Sequence, residues 1–364
     1  MNITVARSLL ADALKKVQGL AATKSSLPIL SNVKIEAQEQ KVRFTTSDLD
    51  MTNVLEISCN VIEEGDITLP AKLLSDAIVR SPEGDISIKV DTKTCKATIC
   101  AGTSTYKIAG LPATEFPPLP TFEGNEETFV IPQEVLKSMF RRTEFAMSQD
   151  ETRRTLKGML VKFDEGKLSC VATDGRRLSV AEYHPEEAYS ISLSFILPAK
   201  SVYELMKNLG TTGNVAFKKC ASQITATLDN GMVIYSKLIE DAYPNYAQVI
   251  PRNNTKEVLV DRVALISSIE RVGIFSEAFA MKFDFASNEL KLSSSTETDN
   301  GEEIVPVKYE GEPIATTFNH HYILEALKSM DDDEVKLAFL DGASPVILSC
   351  SQPGLVVVMP LRVQ

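Results

Sequence analysis

A chain of 364 residues, 44% apolar and 24% charged, is long enough for two or three domains with buried cores. Its 38 Lys and Arg against 49 Asp and Glu give a net charge of −11, which excludes a protein that coats nucleic acid with its whole surface; any DNA contact must come from a local basic face. The longest apolar run (LVVVMPL, 355–361) is too short to span a bilayer, and the amphipathic start, interrupted by Asp12, reads as no signal peptide. Six cysteines without a C-x-x-C pair are expected to be reduced core thiols of a cytoplasmic protein.

In chain order, six twelve-residue segments align with one another. They are ITVARSLLADAL from Ile3, ITLPAKLLSDAI from Ile67, FVIPQEVLKSMF from Phe129, FILPAKSVYELM from Phe195, VLVDRVALISSI from Val258 and TTFNHHYILEAL from Thr316. Their third, eighth and twelfth positions are apolar in every copy, and the last two lie four apart on one helical face. The fourth position holds Ala6, Pro70, Pro132, Pro198, Asp261 and Asn319, mostly residues suited to a cap or a first helical turn. Each copy therefore predicts a short strand turning into a helix, over 6–18, 70–80, 132–142, 198–208, 261–271 and 319–329. Between the helices, stretches such as NVKIEAQEQKVRFTTSD and NVAFKKCASQITATLDNGMVIYSK alternate with period two and bend at turn residues, so they predict antiparallel hairpins.

A longer period is superposed, with KVRFTTSD (41–48) echoed by KLSCVATD (167–174) and ELKLSSST (289–296). Two strand–helix–strands units then make one domain and three tandem domains the chain: 1–125, 126–252 and 253–364, an α+β architecture. Helices on one face of each sheet predict a curved continuous sheet. Its open ends are an aggregation liability that self-association into a ring removes.

Charge is uneven. The six predicted helices hold thirteen basic and seven acidic residues, a net of +6 within a chain of −11. A base follows the aligned segment in every copy: Lys15/Lys16, Arg80, Arg141/Arg142, Lys207, Arg271 and Lys328. Cations favour helix C-termini through the macrodipole. The sharper reading is a common phosphate track that acts by counterion release and needs no base contacts.

With SLPIL (26–30), TSDLDM (46–51), LPAK (69–72 and 197–200), LKGML (156–160), VATDGRRL (171–178), YPNY (243–246), FNHHYILEAL (318–327) and VVMPLR (357–362), the whole chain resembles the bacterial sliding clamps, the beta subunit of the replicative DNA polymerase. The resemblance implies the DNA clamp fold: a head-to-tail homodimeric ring with helices inside and antiparallel sheets outside. Its implied partners are duplex DNA bound without regard to sequence, a clamp loader, and replicative and other polymerases. It also implies a groove for a short partner peptide, built from Leu156, Thr173, Gly175, Arg176, Arg177, Leu178, Pro244, Val249, Asn319, Tyr322, Val357, Met359, Pro360, Leu361 and Arg362, with apolar walls and Arg and Asn on the rim. Arg176 stands where such clamps often carry His, and Gln248 where Arg is common. The DNA-facing positions implied are Lys24, Arg80, Arg141, Arg153, Arg154, Lys200 and Lys207, although Arg154 and Thr155 replace a Tyr pair found in some members. For the dimer seam, Tyr106 and Ile108 would meet Ile274 and Phe275.

No catalytic constellation, cofactor fingerprint or metal motif is present. The histidines are His184 and the adjacent His320 and His321, and adjacent helical residues point about 100° apart, which suits no single metal. Asp331, Asp332, Asp333 and Glu334 lack the alternating spacing of a calcium loop and read as a solvated turn. Two rival readings stand beside the clamp: a repeat scaffold that binds proteins without DNA, and an enzyme using Thr173 and Asp174, whose glycine neighbour points rather to turn chemistry.

Overall fold

The computed structural model describes residues 1–21, 27–121, 126–185 and 191–362; Lys24 lies outside them. Each aligned segment is a strand passing directly into a helix. Asn2–Ala6 leads into α1 (Arg7–Val17), Gly65–Pro70 into α2 (Ala71–Val79), and Glu127–Pro132 into α3 (Gln133–Thr143). Leu193–Pro198 leads into α4 (Ala199–Asn208), Lys256–Asp261 into α5 (Arg262–Val272), and Ile314–Asn319 into α6 (His320–Ser329). Every helix starts one residue later than the spacing placed it, because the fourth position is still the last residue of the strand. At Asp261 and Asn319 that residue caps the helix, accepting from the Ala264 and His321 amides at 2.7 and 3.0 Å. The periodic positions are the core: Leu10, Leu74, Leu136, Val202, Leu265 and Ile323 at the eighth position are all buried. Only Met206, at the twelfth, is half-buried.

The chain packs as two compact units. The first, Met1–Glu134 with Tyr203–Leu238, holds two antiparallel sheets. Its five-stranded sheet ends on the edge strand Ser104–Ala109. Its eight-stranded sheet is completed where Val233–Lys237 pairs with Met51–Ser58, putting Val233 opposite Val54. That pairing converts two edges into a continuous ladder, which satisfies backbone groups that a free edge would leave open.

The second unit, Val135–Val202 with Ile239–Gln364, is built on one twelve-stranded antiparallel sheet. Its joint is the pairing of Arg177–Tyr183 with Gly354–Val358. At Gly354, φ is +129° and a Cβ would stand 2.2 Å from the Val180 carbonyl oxygen, so only glycine lets the strands approach there. Asn300–Lys308 bonds Glu289–Ser295 along its length but reaches Lys256–Asp261 only through Val307 and Lys308, leaving the 300–306 edge open on that side among the described residues.

The cysteines are free, as expected, but only Cys170 and Cys220 are buried. Cys100 is exposed and Cys59, Cys95 and Cys350 are half-buried, so "core thiols" holds for two of the six. No helix is long and apolar enough to cross a membrane among the described residues.

Candidate partner-binding groove and cationic faces

The groove begins with the joint in the second unit. Register places Leu178 opposite Val357 and Arg177 opposite Val358. Leu178 and Val357 are buried with Leu160, Val171, Val180 and Ile196, and Ile239, Tyr243, Tyr246 and Ile250 pack against this patch. Both are therefore floor rather than wall. Pro244 and Val249 ride on the same 243–250 stretch and are exposed. After Val358 the chain is held by two main-chain bonds, Met359 N–H to the Arg176 carbonyl at 2.9 Å and Leu361 N–H to the Thr317 carbonyl at 2.7 Å. These hold Met359 and Leu361 as exposed apolar side chains, with Pro360 half-buried between them and Arg362 exposed. Leu156 is half-buried, its carbonyl accepting from the Ser148 amide at 2.8 Å.

The turn between the strands Lys167–Thr173 and Arg177–Tyr183 is fixed by its own side chains. The Asp174 carboxylate accepts from the Arg176 and Arg177 amides at 2.8 and 2.9 Å, and the Thr173 hydroxyl donates to the Arg177 carbonyl at 2.6 Å while accepting from the Gly175 amide. Gly175 sits at φ +84°, the left-handed region this turn requires. Thr173 and Asp174 are thus consumed by the turn, which leaves the enzyme reading without its residues.

Arg177 departs from its expected place on the rim. It is buried, its guanidinium pairs with Asp174 at 3.2 Å and with Glu325, and it lies 4.4 Å from the Tyr322 ring centroid and 5.2 Å from that of Phe145. It ties the turn to α6. Asn319, likewise expected on the rim, spends its side-chain oxygen on the α6 cap. Arg176 remains exposed on the rim, where the neighbouring Tyr322 phenol holds its guanidinium pKa up. Glu325, Phe145 and Tyr243 are members of this site that the sequence did not single out.

The helix-end cations divide into two groups. Arg141 pairs with Asp331, Arg271 with Glu303 at 3.0 Å, Lys328 with Glu270 at 2.6 Å, and Lys207 with buried Glu204 at 3.9 Å. Arg142 is buried and is no part of any cationic face. Lys15, Lys16, Arg80 and Arg154 have no carboxylate partner among the described residues. Arg153 pairs with Asp150 at 3.5 Å and donates to the Asp174 carbonyl. Lys200 is exposed in the first turn of α4. A charge already paired releases fewer counterions when phosphate arrives.

At the expected seam, Ile274 is 79% exposed and Phe275 37%, beside the open 300–306 edge: a Cβ on Gly301 would stand 2.4 Å from the Phe275 ring. Tyr106 is half-buried on the edge strand Ser104–Ala109. Ile108 is 5% exposed and already belongs to the core of its own unit, so it has no side-chain surface left for a partner. Among the described residues no cluster of three or more His, Cys, Asp or Glu could hold a metal ion.

Family models for the DNA polymerase III beta subunit match the chain in tandem: the N-terminal domain over 1–120, the central domain over 130–245 and the C-terminal domain over 247–362. The chain is 32% identical to the beta sliding clamp of Proteus mirabilis, with all of both chains covered, and 30% identical to that of Chlamydia pneumoniae, covering 100% of this chain and 99% of the relative. Among solved structures it is similar to a sliding clamp (DNA polymerase III subunit beta) of Pseudomonas aeruginosa bound to griselimycin, at 31% identity, TM-score 0.94 and full coverage of both chains. A sliding clamp of Bartonella birtlesii, also bound to griselimycin, matches at 30% identity, TM-score 0.93 and full coverage of both.

Proposed function

Because the chain belongs to the family of DNA polymerase III beta subunits, the sliding clamps, we propose that two copies close into a ring around duplex DNA and hold polymerases there through the groove of the second unit. The chain is a DNA sliding clamp, a non-catalytic processivity factor of DNA replication. In this reading the domains are 1–125, 126–252 and 253–364, the ring is opened by a clamp loader, and the protein works in the cytoplasm. The observation that carries it is the end-to-end match, all three clamp segments in order over one chain with the clamp fold.

The seam pairs the edge strand Ser104–Ala109 of one copy with the open 300–306 edge of the other, and Ile274 and Phe275 are covered by that contact. Two complementary edges on one chain suit a heterologous contact that closes after two copies. Arg80, Arg153, Arg154, Lys200, Lys207 and Arg141 face the DNA in this reading. With several of them paired to acids, the attraction is weak and interchangeable, which is what sliding requires. The partner peptide lays apolar side chains over Leu178 and Val357, between Val249, Met359 and Leu361, with Tyr322 and Arg176 at the rim.

Retention on nicked circular plasmid tests the ring. A loaded clamp should stay on the circle through gel filtration and leave when the plasmid is linearised; equal retention on both would mean ordinary binding. Light scattering should give twice the 39.9 kDa of one chain. A concentration-independent monomer that ignores DNA would instead favour the scaffold.

A further inference from the structure

We infer that the first unit carries a peptide site of its own, a pocket for an apolar side chain with an acidic neighbour, Asp or Glu, offered by a partner protein. The turn beside the groove has a counterpart there, at 47–51. The Asp48 carboxylate accepts from the Asp50 and Met51 amides at 3.0 and 2.7 Å, as Asp174 does from Arg176 and Arg177. The Ser47 hydroxyl donates to the Met51 carbonyl at 2.9 Å, as Thr173 does to Arg177. Leu49 stands at φ +77° where Gly175 stands at +84°. The Lys237 amide donates to the Asp50 carbonyl at 2.9 Å, the bond that Met359 makes to Arg176. The pairing of Val233–Lys237 with Met51–Ser58 therefore repeats the joint beneath the groove.

Side chains make the two joints different. Lys237 stands where the groove has Met359, and its ammonium pairs with Asp50 at 3.0 Å, so an ion pair closes that end. The opening lies toward the other end, a cavity of about 460 Å³ over Val54 and Val233, which face each other in register. Tyr235 and Leu119 add to its apolar lining. Gly231 borders it too, and a Cβ there would meet nothing within 4 Å, so space is open on that side.

Charge in this cavity is unequal. Lys41 and Arg43 line it against one carboxylate, Glu56. The Arg43 Nε donates to Glu56 at 2.8 Å, which leaves Lys41 3.8 Å from the same carboxylate with its side chain 61% exposed. On a chain of net charge −11, an incompletely paired cation beside an apolar floor favours an acidic ligand. Val233, Tyr235 and Leu119 are only half-buried, so the walls do not enclose a free metabolite. They suit a side chain presented from a protein surface. A nucleic acid fits less well, because Glu36, Glu39 and Glu56 line an adjoining cavity of about 240 Å³ and repel successive phosphates.

The chain contains no tryptophan, so Ser58→Trp, at an exposed position lining the pocket, gives the full-length protein a single local reporter. The probes are the acetylated, amidated pentapeptide Gly-Ser-Phe-Asp-Gly and its twins with Asn or Lys in place of Asp. At pH 7.5 the Asp peptide should shift the indole emission saturably and bind about fivefold more tightly than the Asn peptide. That preference should vanish in Lys41→Gln. In Lys41→Glu the Lys peptide should lead, a reversal that loss of folding cannot imitate. Met359→Ala should leave the response intact, since the pocket stands on the first unit alone; failure of the groove reading would not touch it. Loss of the response in Met359→Ala would place binding in the groove and overturn the inference. So would the absence of a saturable shift with any peptide, or equal binding of the Asp and Asn peptides. A preference that survives Lys41→Gln would assign it to another cation and defeat the proposal. An equal response to oligothymidylate would make this a nucleic-acid site, and to phenylacetate a site for small acids; either defeats it as well.

Discussion

Arg142 donates through its guanidinium to the Pro353 carbonyl at 2.8 Å, from inside the second unit, where it is buried. Its own carbonyl accepts from the Ser179 hydroxyl at 2.6 Å. The last turn of α3 thus fastens both strands under the groove: Arg177–Tyr183 through Ser179, and Gly354–Val358 through the turn before it. Arg142→Met keeps much of the volume and removes the charged donor, leaving the Pro353 carbonyl with the Glu182 amide alone at 3.1 Å. Urea unfolding should show a loss of about 1–3 kcal/mol, with partner-peptide affinity falling alongside. Unchanged stability would mean that water or another donor replaces the guanidinium.

Floor and wall of the groove should separate in experiment. Leu178→Ala removes a buried side chain and should cost about 2–5 kcal/mol of stability. Met359→Ala trims an exposed one and should stay within about 0.5 kcal/mol, yet weaken peptide binding at least severalfold, because an exposed apolar anchor matters only when a partner covers it. Equal effects of the two substitutions on peptide binding and on stability would dissolve the distinction.

The seam makes a similar contrast between two isoleucines. Ile274→Arg places charge on a side chain that is 79% exposed, and should leave the circular dichroism spectrum intact while shifting light scattering from dimer to monomer. Ile108→Arg forces charge into a core position and should unfold the first unit. A dimeric Ile274→Arg protein would move the seam elsewhere.

Removing unpaired cations should matter more to DNA than removing paired ones. Lys16→Ala with Arg80→Ala should lower the salt dependence of DNA binding, the slope of log K against log salt, by about 0.9 for each phosphate no longer neutralised. Arg271→Ala with Lys328→Ala should change it less, since Glu303 and Glu270 already hold those charges. A reversed order would mean that the ion pairs open when DNA enters.

Stability should also respond to pH through one histidine. Burial holds the His320 imidazole below its ordinary 6.5; His321 adds to the effect, and the bond from Nδ1 to the Phe279 carbonyl opposes it. The unfolded chain therefore takes up the proton first as pH falls. This contribution is fully present above about 6.5, and it is lost progressively as pH drops from there toward the lowered folded value. His320→Asn should flatten that part of the stability profile relative to the parent. Parallel profiles between pH 7.5 and 5.5 would mean that His320 is protonated equally in both states.

Much of this architecture was legible in the amino-acid order because it is local. Six strand-to-helix junctions follow from apolar positions four apart and from the residue that ends each strand, and both are short-range properties of the backbone. Helix starts were displaced by one residue because a strand's last residue and a helix cap are the same residue here. What only the tertiary structure decided is the use of each charge and each apolar side chain. Arg141 and Arg142 are neighbours in the chain, yet one reaches Asp331 at the surface and the other is buried under the groove. Arg176 and Arg177 divide the same way, one open on the rim and one consumed by Asp174 and Glu325. Periodicity assigns a face to a residue; the partners Glu325, Asp331 and Pro353 come from segments 148 to 211 residues away, and no local pattern encodes that distance.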